Sequence, residues 1–424
     1  MTVFFSFFSL LFLRVPIFIV LGATSIIYIF STGNNGLFDS VPQRLFSGVD
    51  NFSLLAIPLF MLAGELMNYG GITSRLINFA KAIVGHYKGG LAYVNVVANT
   101  FLASILGSSL AQTAMMSRVM VPAMEKEGYQ REFSTATTAA AAMLGPIIPP
   151  SMIFIIYSIH AETSIGRMFI AGIMPGILLA LSFILFIIYY GHRHNLPKSD
   201  KQSLKQIRAS FYQVIPALSV PVIIIVGILS GIFTATESAA IACLIAILAG
   251  ALFYRELKLK ELPKILINTA TTTATVTLLI VTAKLFGLVL TFERIPQLIT
   301  EWMVTLTDSP LVFLLIVNLF LLLVGMFLDG IASLILLSPI LIPVAMAFNI
   351  DPIHLGVVMC LNIVIGSLTP PVGAGLFVAS SIAEVKLETL VKAIWPFLAV
   401  SLVVLALITY FPQLILWLPN MVSL

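Results

Sequence analysis

The sequence predicts an all-α polytopic membrane protein whose two halves are inverted copies, each holding one re-entrant helical hairpin and one broken helix. Three observations predict this. The 424 residues are 59% hydrophobic and 9% charged, with a mean hydropathy of +1.09, whereas a soluble domain carries about 25% charge. Apolar runs of near-membrane length recur along the whole chain. Two of those runs are interrupted by related strings, GPIIPPS at 145–151 and GSLTPPVG at 366–373.

In chain order, the run at 3–30 reads as one retained first helix, too long for a signal-peptide core and followed by no small-residue cleavage site. Runs at 51–69, 166–190, 211–230, 235–253, 271–291 and 394–418 read as full crossings, and 132–160 and 354–383 as crossings that carry the two breaks. The regions 90–124 and 310–348 are interrupted near their middles by GSS (107–109) and GMFLDG (325–330). Their turn-forming residues fit either two tight crossings or one hairpin. Segments 72–88 and 256–270 read as amphipathic helices lying along the membrane interface.

Lysine and arginine test this layout. With both interrupted regions as hairpins, sixteen basic residues fall on one side, including Arg193, Lys198, Lys201, Lys205 and Arg208 of the 191–208 loop, and only Arg44, Arg167 and Arg294 on the other. That bias predicts a cytoplasmic N-terminus and an outward C-terminus. Two full crossings per region would give the same sidedness, so the hairpins rest on their broken tips. The pI of about 9.0 therefore reports topology, because the basic residues sit in loops and form no stripe with aromatics.

Sliding the chain by 221 residues lays Gly145 on Gly366, Pro149 on Pro370, Pro150 on Pro371, Pro122 on Pro343, Ser117 on Ser338 and Ala111 on Ala332, with Ser108 opposite Asp329. Five crossings separate the copies, so they lie in opposite orientations, as in the inverted repeats of secondary transporters. A proline has no N–H for the carbonyl four residues back, so Pro149 and Pro150 leave the carbonyls of Gly145 and Pro146 unpaired, and Pro370 and Pro371 those of Gly366 and Ser367. A kink that merely shapes the helix is the plainer reading of one break; a matched pair at bilayer depth points to an ion or substrate site.

Hairpin tips and breaks together offer carbonyls, hydroxyls and one carboxylate, hard oxygen ligands that suit a sodium ion, whereas a transition metal would want His or Cys. The candidates are Ser108, Ser109, Ser151 and the carbonyls around Gly145 in the first half, and Asp329, Ser367, Thr369 and the Gly366 carbonyl in the second. Asp329 is one of three acids inside apolar runs, with Glu65 and Glu237. An intramembrane carboxylate is costly and points to function, although Asp also makes a good N-cap. Glu65 and Glu237 lie near span ends and read as interface anchors. Arg118 and Lys284 read as buried cations, in structural roles or drawing an anion. The half-helices that begin after the tips aim their N-termini at the midplane and favour a carboxylate-bearing solute. Cys243 and Cys360 sit in apolar spans and support neither a disulfide nor a metal site, and motifs for metalloprotease, phosphate-loop or hydrolase chemistry are absent.

At LGSSLAQTAMMSRVMVPAM (106–124), AAMLGPIIPPS (141–151), GMFLDGIASLILLSPILIP (325–343) and GSLTPPVG (366–373) the chain resembles the large membrane subunit of tripartite ATP-independent periplasmic (TRAP) transporters, the DctM family. The resemblance implies a sodium-driven symporter of the bacterial inner membrane, not an enzyme, working as an elevator-type transporter. It implies as partners a separate small four-helix membrane subunit and a periplasmic solute-binding protein that delivers an organic anion, such as sialic acid or a C4-dicarboxylate. Carried over residue by residue, the family's sodium-binding regions fall on Ser108, Ser109, Gly145, Pro146, Pro149, Pro150 and Ser151, and on Gly325, Asp329, Gly366, Ser367 and Thr369. The implied scaffold is 1–88 and 166–309 and the implied transport domain 89–165 and 310–384, followed by a C-terminal helix in 385–424. The alternative is a stand-alone sodium/divalent-anion symporter that needs no binding protein.

Overall fold

The computed structural model describes residues 2–13, 15–33, 35–199 and 201–421, with the side chains of 35 and 104–106 outside the description. Twenty α-helices and no strand occur among the described residues, and eight helical segments are long and apolar enough to cross a membrane. Without water in the hydrocarbon, a chain this apolar satisfies its backbone within helices.

The run at 3–30 is not one helix. It divides into α1 (Thr2–Phe12) and α2 (Ile17–Thr32), because Pro16 takes φ −53° and ψ 136° as the N-cap of α2 and supplies no N–H to continue the preceding turn. At about 1.5 Å per residue, α1 is too short to span the bilayer alone. A further helix that periodicity did not announce, α3 (Asn35–Val49), precedes α4 (Ala56–Tyr69).

The first repeat continues with the amphipathic α5 (Ile72–Val84), a hairpin of α6 (Gly90–Leu106) and α7 (Ser109–Lys126), and a broken helix of α8 (Arg131–Ala142) and α9 (Met152–His160), followed by α10 (Ile165–His194). α5 buries Ile72, Leu76, Phe79 and Ala80 at helical spacing against α6 and α11. The links α11 (Leu204–Leu229) and α12 (Ala235–Leu248), with a π-turn over Ala249–Phe253, lead to the second repeat. Glu237 closes a capping box with Thr234 at the start of α12.

The second repeat comprises α13 (Leu262–Phe292), α14 (Ile295–Leu306), the hairpin α15 (Pro310–Phe327) and α16 (Gly330–Ala347), the broken helix α17 (Pro352–Gly366) and α18 (Ala374–Ala383), and α19 (Leu387–Tyr410). The expected arm at 256–270 is largely the start of α13, whose proline near its first position accepts helical φ without losing a needed hydrogen bond. At the offset of 221 the element of this repeat that answers α5 is α14. Pro412 splits the C-terminal segment into α19 and α20 (Gln413–Met421).

The offset of 221 holds for whole elements: Ser109 of α7 answers Gly330 of α16, and Arg131 of α8 answers Pro352 of α17. Packing obeys the same exchange. α7 packs on α18 while α16 packs on α9, so the second limb of each hairpin rests on the post-break segment of the other repeat. The pre-break helices are innermost, with every residue of Phe133–Ala142 and of Ile353–Gly366 buried. α8 achieves this with Ala, Ser and Thr, which let helices approach closely and return their hydroxyls to the ladder, as in Thr137 to the Phe133 carbonyl at 2.8 Å. Arg131 at the head of α8 donates from Nε to the Ala383 carbonyl at the tail of α18 (2.8 Å), a cation on a helix C-terminus that ties the two repeats.

Candidate functional site

Each hairpin tip is shaped by a residue that ends one helix and a polar residue that begins the next. Gly107 ends α6 at φ +59°, a conformation that costs glycine little, and the Ser108 hydroxyl accepts from the Ala111 N–H at 3.4 Å to cap α7. In the second tip Leu328 is extended and the Asp329 carboxylate accepts from the Ile331 N–H at 3.2 Å to cap α16. The capping role of Asp329 is therefore real, and its side chain is exposed at the tip with a second oxygen to spare.

The breaks form where the proline pairs fall. After Ala142 the chain makes successive tight turns, and Ser151 restarts the helix by accepting from the Phe154 N–H at 3.3 Å while its hydroxyl donates to the Pro146 carbonyl. After Gly366, Thr369 N–H reaches the Gly366 carbonyl (2.9 Å) and Gly375 N–H the Ser367 carbonyl (2.8 Å). The Pro149–Pro150 and Pro370–Pro371 bonds are both cis. Three of the four carbonyls expected to be orphaned thus have partners, because the turns recruit donors from Ser151, Thr369 and Gly375. Among the described residues only the Gly145 carbonyl is left without one.

Tips and breaks meet. One narrow cavity of about 50 Å³ is lined by Gly107, Ser108 and Ser109 from the first tip, Asp329 and Gly330 from the second, Pro146 from the first break and Ser367 from the second. Its floor is tight: a Cβ on Gly107 would stand 3.4 Å from the Met152 nitrogen, and one on Gly330 3.3 Å from Ile153. Five of the sequence candidates, Ser108, Ser109, Pro146, Asp329 and Ser367, are therefore brought together. The others lie just behind. Ser151 caps α9, Thr369 bonds the Ile365 carbonyl at 2.8 Å, and Pro149 and Pro150 are buried in the turn. Gly325 lies against Gly366 and makes room for α15 on α17: a Cβ on Gly366 would stand 2.8 Å from the Gly325 Cα.

Two of the charges read as buried are not. Arg118 is exposed on α7, and Lys284, also exposed, reaches the Ser47 carbonyl at the end of α3 at 3.4 Å.

The polar residues that sequence reasoning missed are amides. Gln112 of α7 donates from Nε2 to the Asn99 carbonyl (2.8 Å) and Asn99 Oδ1 (2.7 Å) on α6; Asn99 donates to Asn95, and Asn95 Nδ2 donates to Thr138 of α8 at 2.6 Å. This buried ladder pins the limbs of the first hairpin to each other and to the first broken helix. The second hairpin is held differently, with Asn362 of α17 donating to Asn318 of α15 (2.8 Å) and Asn318 to Thr409 of α19 (3.0 Å). A signal was available, since uncharged amides inside apolar runs are costly unless partnered.

Several buried oxygens near the cavity have no hydrogen-bond partner: Ser109 Oγ, Gln112 Oε1, Thr113 Oγ1 and Ser117 Oγ along one side of α7, with Ser333 Oγ and Asn362 Oδ1 in the second half. Buried polar atoms are rarely orphaned without cause. Among the described residues no three His, Cys, Asp or Glu side chains gather to hold a metal. What the cavity offers is uncharged oxygen plus the Asp329 carboxylate, in a volume sufficient for a water or a small ion.

The architecture matches a solved transporter. The crystal structure of the Alcanivorax borkumensis YdaH transporter, described as having an unusual topology, superposes with a TM-score of 0.66 over 91% of this chain and 89% of that one, at 15% identity, a likeness of fold. In sequence, the chain is 38% identical over 417 residues to the sialic acid TRAP transporter large permease protein SiaM of Vibrio cholerae, covering 98% of this chain and 97% of that protein. It is 41% identical over 381 residues to the C4-dicarboxylate TRAP transporter large permease protein DctM of Pseudomonas aeruginosa, covering 90% and 89%. The family model for the DctM component of the tripartite ATP-independent periplasmic transporters matches residues 4–414, and with the hairpins, breaks and inverted halves in place the chain belongs to that family.

Proposed function

We propose that the chain is the large permease subunit of a sodium-driven TRAP importer in a bacterial inner membrane, taking up an organic anion delivered by a periplasmic binding protein and working with a small four-helix subunit. The observation that carries this is a cavity lined by both tips and both breaks, with the unpaired Ser109 hydroxyl and the Asp329 carboxylate among its oxygens. Hard oxygen donors without His or Cys are the chemistry of an alkali cation. The Gly145 carbonyl and Gln112 Oε1, behind the first tip, are further acceptors that a cation would satisfy.

A cavity of about 50 Å³ suits an ion and leaves no room for a sugar acid or dicarboxylate, so the anion enters only after a tip moves. Hairpins 89–127 and 310–348 with their broken helices then form the moving body, and α4, α5, α11, α12, α13 and α14 the frame against which it rises and falls. The excess of Lys and Arg in the loops around 75–88, 126–131, 193–208 and 255–264 supports a cytoplasmic side there and a cytoplasmic N-terminus. Sialic acid and C4-dicarboxylates, for which the relatives are named, share a carboxylate, which suits the helix N-termini gathered at the tips.

Proteoliposomes holding this chain with its small subunit test the reading. Uptake of labelled sialic acid or succinate, presented on the cognate binding protein, is expected with an inward sodium gradient and lost when potassium replaces sodium. Sodium-independent uptake would remove the coupling ion, and equal uptake of free solute without the binding protein would make this a stand-alone anion symporter.

A further inference from the structure

A second cavity, of about 440 Å³, lies away from the tips, between α5, α6 and α10. The basic side chains of its lining stand at one end. At the loop end stand Tyr87 and Lys88, in the turn before α6, Val84 at the end of α5, and His192, in the last turn of α10. One turn further in are Tyr93 and Ile188, and another turn in Val97 and Ile184. Lys88 is held at the rim by its Nζ donating to Asn195 Oδ1 at 2.7 Å. Tyr93 is only 8% exposed, and its hydroxyl has no hydrogen-bond partner among the described residues. The ring is buried while its hydroxyl is not among the enclosed orphan oxygens of the described residues, so the O–H is open to a partner from outside the chain.

We propose that this cavity is a binding site for an anionic phospholipid, with the phosphate between Lys88 and the Tyr93 hydroxyl and one acyl chain running down Ile188, Ile184 and Val97. The order of residues is the order of groups in such a lipid. An ammonium and a hydroxyl donor suit a phosphodiester, tyrosine is at home at headgroup level, and aliphatic side chains below take the hydrocarbon. No Asp or Glu lines the cavity among the described residues, so nothing there repels an anion. The site joins the interface arm α5, the first limb of a hairpin and the long α10, so an occupant braces their junction. The basic loops place it in the cytoplasmic leaflet if the orientation proposed above holds; the cavity's own chemistry does not depend on that orientation or on transport.

The test is thermal unfolding of the full chain, delipidated in detergent and titrated with short-chain phosphatidylglycerol, phosphatidylcholine or inorganic phosphate. Phosphatidylglycerol should raise the midpoint saturably, phosphatidylcholine should need about tenfold more lipid, and phosphate alone should do nothing, since it lacks the chain. Lys88→Gln and Tyr93→Phe should each weaken half-saturation by phosphatidylglycerol by about threefold to tenfold, the loss of one charge-assisted or buried hydrogen bond. Ile188→Trp, at a half-open position that tolerates bulk, should abolish saturable protection by filling the cleft. Equal protection by both lipids, protection by phosphate alone, or unchanged half-saturation in the folded Tyr93→Phe protein would each overturn the assignment.

Discussion

Gln112 Oε1 lies 2.5 Å from the point where a Cβ on Gly145 would stand. The second limb of the first hairpin and the first helix break are thus in direct apposition, with a buried amide oxygen facing a backbone that has room only for hydrogen. Gln112 is in turn fixed by two hydrogen bonds to Asn99, so it cannot swing aside freely. Gly145→Ala should therefore abolish uptake more completely than it unfolds the protein. Paired measurements of uptake and of the melting midpoint check this.

Replacing Gln112 with Met keeps the volume and removes the amide. Asn99 loses its cross-limb partner, and the hairpin limbs lose a pin. The expected cost is about 1–3 kcal/mol of stability, read by denaturant or thermal unfolding, with a larger proportional loss of uptake because the ladder sets the position of the tip.

Gly325 and Gly366 give a packing test. A Cβ at Gly366 would stand 2.8 Å from the Leu322 carbonyl oxygen, and one at Gly325 3.1 Å from the Gly366 Cα. Either Gly→Ala change should destabilise by about 1–3 kcal/mol through overpacking. Gly287, inside α13 with nothing within 4 Å of its Cβ position, is the control. There alanine should be neutral or raise stability by up to about 1 kcal/mol, as helix propensity predicts.

Asp329 combines a cap with a charge, and two substitutions separate them. Asp329→Asn retains a side-chain oxygen for the Ile331 N–H, so stability should hold while sodium dependence of uptake weakens. Asp329→Ala should in addition lose about 1 kcal/mol from the cap. Wild-type sodium dependence in the Asn variant would remove this carboxylate from the ion site.

Ser109 is the complementary case. Its buried hydroxyl has no protein partner, so Ser109→Ala should leave the melting midpoint unchanged or slightly raised in potassium. Protection by added sodium should shrink in the same variant if the hydroxyl is an ion ligand.

The interruptions GSS, GMFLDG and the paired prolines were legible because turn residues stand out sharply against an apolar background, and their common spacing of 221 carries over to whole helices. Pro16 and Pro412 carried the same kind of signal, yet one long apolar run masked each. α3 and α14 were harder to foresee: one carries an internal proline and few apolar residues, and the other is a short helix recognisable only by its correspondence to α5.

The sequence by itself determined that this is a helical membrane protein with two inverted halves, where its helices break and which oxygens sit at the breaks. Those are local consequences of hydropathy and of the missing proline N–H. Only the tertiary structure decided that Ser151, Thr369 and Gly375 satisfy three carbonyls at the breaks, and that Asn95, Asn99 and Gln112 form a ladder. It also decided that Gly325 serves packing while Ser109 and Asp329 share a cavity. Which donor reaches which acceptor depends on the approach of helices far apart in the chain, and no local pattern of residues encodes that distance.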